Sequence, residues 1–330
     1  MAIPILLDCD PGHDDAIAIL LAAGHEAIDL LAITTVAGNC PLDLATLNAR
    51  RVAALAGLDG VPIAAGAAGP LCGELVTAPD IHGESGLDGY ELRTGEAPLN
   101  PRPALEVTIA TLEEAREPVA IVATGPLTNV ARLLAARPDL HARIGEIVLM
   151  GGSTGRGNVT PAAEFNVFVD PEAAAAVFAS RLPVTMIGLN LTHQARATPD
   201  VLERVRAVPG EPARAVEGWM AFFGGSYARV HGEAAAPVHD PCTIATLIDR
   251  SLVRCTEAFV AVETAGRWTR GATVVDLDGR LGRPPNARVA LALDAPRFWD
   301  LVIGALERLA GRRHEKTEPP AASPRGDVIR

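Results

Sequence analysis

Short aliphatic runs alternate with longer Ala/Leu-rich stretches of helical period from the start of the chain. Ile3 to Leu7 reads as a buried strand, and Asp14 to Ala23 as a helix ended by Gly24. Ile28 to Val36 is the next strand, Leu42 to Ala56 a helix stopped by Gly57, and Val61 to Ala65 a third strand. A Gly/Pro-rich stretch follows. The same rhythm then gives a helix over 103–116, a strand Val119 to Ala123, a helix over 127–136 and a strand Glu146 to Leu149. A helix over 171–179 and a strand Val184 to Gly188 complete it. Strands alternating with helices of this length predict a mostly parallel central sheet flanked by helices, a Rossmann-like α/β fold. From about 195 to 250 the pattern is helical, with strand-like runs near 256–263, 271–277 and 287–293 and a last helix over 295–310. No Ser/Gly linker or internal repeat divides the chain, so 1–310 is read as one large domain. The polar segment 311–330 is expected to be a disordered tail.

Composition narrows the function. Forty Asp+Glu against 29 Lys+Arg give a net charge of −11, which disfavours phosphate-neutralising partners such as nucleic acid or an anionic membrane. Only 4% of residues are aromatic, leaving few stacking platforms for single strands. No apolar run is long enough for a membrane span. The N-terminal stretch MAIPILLDCD lacks a basic region and meets two aspartates early, unlike a signal peptide. Five scattered cysteines without a CxxC fit a reduced, cytoplasmic chain.

The densest chemistry is Asp8-Cys9-Asp10-Pro11-Gly12-His13-Asp14-Asp15, placed after a strand and at the start of a helix. Ligands of open α/β sheets bind beyond the carboxyl ends of the strands. Like charges about 4 Å apart repel by roughly 4 kcal/mol at an effective dielectric near 20, so the cluster calls for protons, basic partners or a cation. The helix N-terminus supplies only about half a charge. An EF-hand loop would need Gly and Glu where this chain has His13 and Ile19. A haloacid-dehalogenase-like phosphatase also opens on strand-Asp-x-Asp, with Asp8 as nucleophile, but leaves Asp14 and Asp15 unexplained. The third reading is a resemblance: Asp-x-Asp-Pro-Gly-x-Asp-Asp is similar to the N-terminal signature of the nucleoside hydrolases. Ala37-Gly38-Asn39, Ala123 to Asn129, Leu149 to Gly152, Ala163 to Asn166, Leu191 to Gln194 and His239-Asp240-Pro241 resemble further segments of that family, in the same order. The similarity spans about 1–300.

The resemblance implies a calcium-dependent N-ribohydrolase of the inosine–uridine type, acting on nucleosides and assembling as a homodimer or homotetramer. Calcium suits the cluster because a hard cation takes about six to eight oxygen ligands. By resemblance Asp10, Asp15, Asp240 and the backbone carbonyl of Thr124 hold it, with Asp8 orienting the loop from behind. Asp10 accepts the proton of the attacking water. Asp14, Asn39, Asn158, Glu164 and Asn166 match the family's ribose-binding set, and Met150 and Phe165 pack against ribose and base. His239 is the expected general acid for the leaving base, with an ordinary pKa near 6.5, and His82 is expected to reach the base. The purine-specific branch stacks tryptophan instead. Phe223 stands where one family tyrosine is expected and Tyr227 where the other is, and the loss of one hydroxyl tilts preference toward pyrimidine nucleosides or a less common base, within the pyrimidine or inosine/uridine-type preference that the resemblance implies. The Gly-rich segment 72–90 is a candidate flap. A nucleoside- or ribose-binding protein without turnover is the alternative outside enzymes.

Overall fold

The structure, a computed structural model, describes residues 2–232 and 235–317. Its strands are β1 (Ile3–Cys9), β2 (Ile28–Thr35), β3 (Ile63–Ala65), β4 (Val119–Ala123), β5 (Ile144–Met150), β6 (Val184–Ile187), β7 (Val253–Val262), β8 (Thr273–Asp276) and β9 (Ala287–Leu293). They form one sheet in the order β3-β2-β1-β4-β5-β6-β9-β7-β8. β1 to β6 and β9 run parallel, while β7 pairs antiparallel with both β9 and β8. The expected α/β architecture is therefore present, with an antiparallel ending that the three late strand-like runs supply.

Strand alternation sorts the core onto two faces. In β1, Ile5, Leu7 and Cys9 join the apolar layer under helices His13–Gly24, Leu42–Ala56, Glu211–His231 and Pro241–Ile248. Leu6 joins the opposite layer, beneath Ala104–Glu114, Thr128–Ala136 and Pro171–Ala179. The sheet order reverses at β1: the chain steps outward through β2 and β3, then returns to lay β4 against the other side of β1. Crossovers diverge there, opening a crevice at the carboxyl ends of β1 and β4, which is where such folds take their ligands.

Element boundaries shift by a few residues from expectation. β5 begins at Ile144 because Ile144 pairs with Val119 before the run expected to start at Glu146. The last helix spans Ala295–Thr317 rather than 295–310, so the beginning of the 311–330 segment is helical. The remainder of that expected tail lies outside the described residues. Among the described residues no helix is long and apolar enough to cross a membrane.

Candidate active site

β1 delivers Asp8 and, one pleat on, Asp10. The two part company. Asp8 turns to the face of Leu6, where Oδ1 accepts from Thr34 Oγ1 at 2.5 Å and Asn129 Nδ2 at 2.8 Å. Burial raises its pKa to about 6, against the pull of those two donors. Asp8 Oδ1 is committed to Thr34 and Asn129, a poor state for a nucleophile, and Asp8 does not line the cavity described below. Asp10 instead sits past the strand end, fully buried. Its Oδ2 accepts from the Asn39 backbone N–H at 2.6 Å, while Oδ1 is buried without a hydrogen-bond partner. Gly38 and Gly125 cradle this carboxylate closely enough that a Cβ at either position would strike it.

The next turn begins the helix His13–Gly24 and adds Asp14 and Asp15. Asp15 accepts from Gly12 N at 3.1 Å, Asp10 N at 3.3 Å, Asn39 Nδ2 at 3.3 Å and Thr124 Oγ1 at 2.7 Å. Asp240 comes from the far end of the sequence, immediately before the helix Pro241–Ile248. Carboxylate oxygens of Asp14, Asp15 and Asp240 lie within 4.8 Å of one another, all three residues buried. Burial, then neighbouring negative charge, drives Asp10 and Asp240 well above the carboxylate range and Asp14 to about 7. Burial raises Asp15 as well. Such a group of carboxylates is stable only with shared protons or a cation among them. The donor set is entirely oxygen, it includes the unengaged Asp10 Oδ1, and it fits a hard divalent cation.

Above this floor opens a cavity of about 340 Å³. Asp14, Asn39, Thr124 and Asp240 form its deep end, and Met150, Asn158, Glu164, Phe165 and Asn166 one wall. His82, Phe223, Tyr227, His231 and His239 form the other. Asp10 and Asp15 are fully buried and hydrogen-bonded to Asn39, which lines the cavity. The first wall is tied down by its own polar groups. Glu164 caps the helix Phe165–Val169, accepting from Asn166 N, Val167 N and Gly152 N, and burial lifts it to about 7. Asn158 Oδ1 accepts from Phe165 N at 2.9 Å. Asn166 Nδ2 donates to the Thr124 carbonyl at 2.7 Å, so one lone pair of that carbonyl is already engaged.

The second wall departs from expectation at His239. Burial pushes its pKa down to about 3, reinforced by the charges of His193 and His231, so the ring is neutral rather than poised near 6.5. Its Nδ1 is 2.7 Å from Thr192 Oγ1. With that hydroxyl donating, the proton resides on Nε2, an assignment made from the partners. The His239 backbone N–H reaches Asp14 Oδ2 at 3.3 Å, linking the two ends of the cavity. Phe223 is nearly fully buried in a stack with His13 and His82, with a ring centroid 5.7 Å from that of Tyr227. Tyr227 Oη lies 3.4 Å from His193 Nε2, and the Tyr227 and His231 rings are 4.4 Å apart. His231 escaped the sequence reading, although it follows Tyr227 by one helical turn. Part of the candidate flap is anchored, with Ser85 O accepting from Asn48 Nδ2 at 2.9 Å.

Comparison with known proteins agrees with this geometry. The sequence profile described as "Inosine-uridine preferring nucleoside hydrolase" matches residues 5–300. The pyrimidine-specific ribonucleoside hydrolase RihA of Escherichia coli O139:H28 is 48% identical over 310 residues, covering 93% of this chain and 99% of the relative. RihA of Shewanella woodyi is 47% identical over 309 residues, with coverage of 93% and 99%. Among solved structures, a plant nucleoside hydrolase superposes with a TM-score of 0.87 at 30% identity, covering 93% of this chain and 99% of its own. A purine-preferring ribonucleoside hydrolase from Gardnerella vaginalis gives 0.86 at 30% identity with the same coverage. Sequence, fold and the carboxylate-floored cavity agree, and the chain belongs to the inosine-uridine preferring nucleoside hydrolase family.

Proposed function

We propose that this ribonucleoside hydrolase prefers pyrimidine nucleosides and works with calcium bound at the carboxylate floor. The observation that carries the reading is the cavity itself, with an acidic oxygen-rich end sized for a sugar and a histidine–aromatic end for a base. Asp10, Asp15, Asp240 and the Thr124 carbonyl would hold the cation; the carboxylates that converge within 4.8 Å are those of Asp14, Asp15 and Asp240. When bound, it supplies Lewis acidity to the oxygens it touches. Asp14, Asn39, Asn158, Glu164 and Asn166 hold the ribose hydroxyls, and Met150 and Phe165 pack against sugar and base. Asp10 Oδ1 takes a proton from the water whose oxygen attacks the anomeric carbon as the N-glycosidic bond breaks. Positive charge that develops on the sugar faces the carboxylates. The neutral His239 ring offers its Nε2–H as a hydrogen-bond donor to the departing base and so stabilises the charge that develops there.

Two observations favour pyrimidines. The RihA relatives are named pyrimidine-specific, and none of the three tryptophans lines the cavity. Trp219 and Trp299 are buried in the core and Trp268 is exposed at 77%. Chelation followed by calcium add-back, with uridine, cytidine and inosine as substrates, tests the reading. Uridine and cytidine hydrolysis restored by calcium and faster than that of inosine is the expected result. Release of phosphate from a monoester, or tight nucleoside binding with no base released, would overturn it.

A further inference from the structure

The hairpin that closes the sheet does more than pair strands. β8 is the last strand in the order, hydrogen-bonded to β7. Yet the turn leading into it comes back against the wall that carries Asn158, Glu164, Phe165 and Asn166, and it does so at three points. Arg270 forms a two-pronged ion pair with Glu172, Nη1 to Oε1 at 2.7 Å and Nη2 to Oε2 at 2.8 Å. Gly271, at φ +84°, lies so close to the helix Phe165–Val169 that a Cβ there would stand 2.8 Å from Phe168 Cα. Thr273 makes the third contact. Its Oγ1 accepts from Ser153 N at 2.8 Å and donates to Ser153 O at 2.7 Å.

The third contact leads into the site. Ser153 is buried, and one hydroxyl serves both its backbone groups, where an unmet N–H or C=O would be costly. Gly152, next to it, sits in the left-handed region at φ +72°, with Thr273 and Met186 packed where its Cβ would stand. That conformation aims the Gly152 N–H at Glu164 Oε2, 2.9 Å away, and lets the Gly152 carbonyl accept from Leu189 N at 2.9 Å. Glu164 lines the cavity. Its carboxylate takes its place from the backbone N–H groups of Gly152, Asn166 and Val167, and the first of these is set by Thr273.

We infer that Thr273 is a positioning residue for ribose recognition. Its hydroxyl fixes Gly152 and Ser153 just past the end of β5, and through the Gly152 N–H it fixes the Glu164 carboxylate for a sugar hydroxyl. This role rests on the nucleoside reading of the cavity and deepens it. Because Thr273 acts on the sugar side, its loss is felt by every ribonucleoside to the same degree, whatever the leaving group. The antiparallel end of the sheet thereby becomes a working part of the sugar site.

The variant Thr273→Val removes the hydroxyl and keeps the branched shape. With calcium saturating, its KM should rise about tenfold on uridine and on p-nitrophenyl riboside alike, while kcat stays within about twofold of wild type. A role in stability alone lowers the fraction of folded enzyme and leaves KM where it was. An unchanged KM would therefore overturn the assignment, and so would a loss confined to uridine. Thr273→Ser retains the hydroxyl and should retain the wild-type KM; a rise as large as that of Thr273→Val would show that the methyl group matters and the hydrogen bonds do not. Residue-resolved amide hydrogen exchange reads the same link without turnover. Gly152 should exchange about tenfold faster in Thr273→Val while the β1 amides keep their wild-type rates, and an unchanged Gly152 rate would contradict the link. A wild-type enzyme that cleaves neither substrate would sink the hydrolase reading instead, and Gly152 exchange would still decide whether Thr273 sets the partner of Glu164.

Discussion

The two ends of the cavity are built differently. At the sugar end, Asp10, Asp14 and Asp15 arrive within six consecutive positions, because one strand end and the following helix start bring them together. At the base end, His82 comes from a segment far from Phe223, Tyr227 and His239 in the chain and is joined to them by packing. The sugar end concentrates charge and needs a counter-ion. At the base end burial instead holds His82 and His239 below the ordinary imidazole range, in the neutral form. This division suggests that bond cleavage depends on the first end whatever the leaving group, while the second matters in proportion to how badly that group needs help.

Substitutions at each end should separate the two roles. The largest effect is expected for Asp10→Ala, which removes the proton acceptor and part of the cation site. Steady-state kinetics should show kcat falling by roughly 10³- to 10⁴-fold on uridine and on p-nitrophenyl riboside alike. His239→Ala comes next, with a fall of about 10²-fold on uridine. Tyr227→Phe removes one hydroxyl from the base end, and uridine kcat/KM should drop by a factor of roughly 2 to 10, with the activated riboside unaffected.

A subtler contrast lies in stability. Burial and the neighbouring carboxylates raise Asp14 from its ordinary 3.8 to about 7 in the folded state, so the native state binds more protons than the unfolded chain across that interval. Stability of the chelated enzyme must then fall as pH rises from about 4 to 7. Melting curves should show Tm dropping by about 5 °C over that range without cation, and calcium should flatten the slope. A chelated enzyme whose Tm rises with pH would mean that the floor is not the strained element.

The sequence made the sugar end legible because its spacing is local. Asn39, Thr124 and Met150 were also readable, since each follows a strand whose parallel register brings strand ends to one edge: Asp8 pairs with Thr34 and Ala123, and Ala123 with Leu149. The base end was only partly legible. His82, Tyr227 and His239 were found through their resemblance, but the neutral state of His239 comes from burial that no motif shows. His231 and the His13–Asp88 contact depend on where the helix Glu211–His231 and the loop that carries Asp88 pack. The overlong last helix was missed for a simpler reason: its apolar stripe ends near Ala310, and charged residues continue the helix without it.

The division of labour is tested most directly by measuring kcat/KM of His239→Ala on uridine and on p-nitrophenyl riboside with calcium saturating. The account predicts a loss of about a hundredfold on uridine and no more than about threefold on the riboside, whose leaving group needs no proton. Equal losses on both substrates would contradict it.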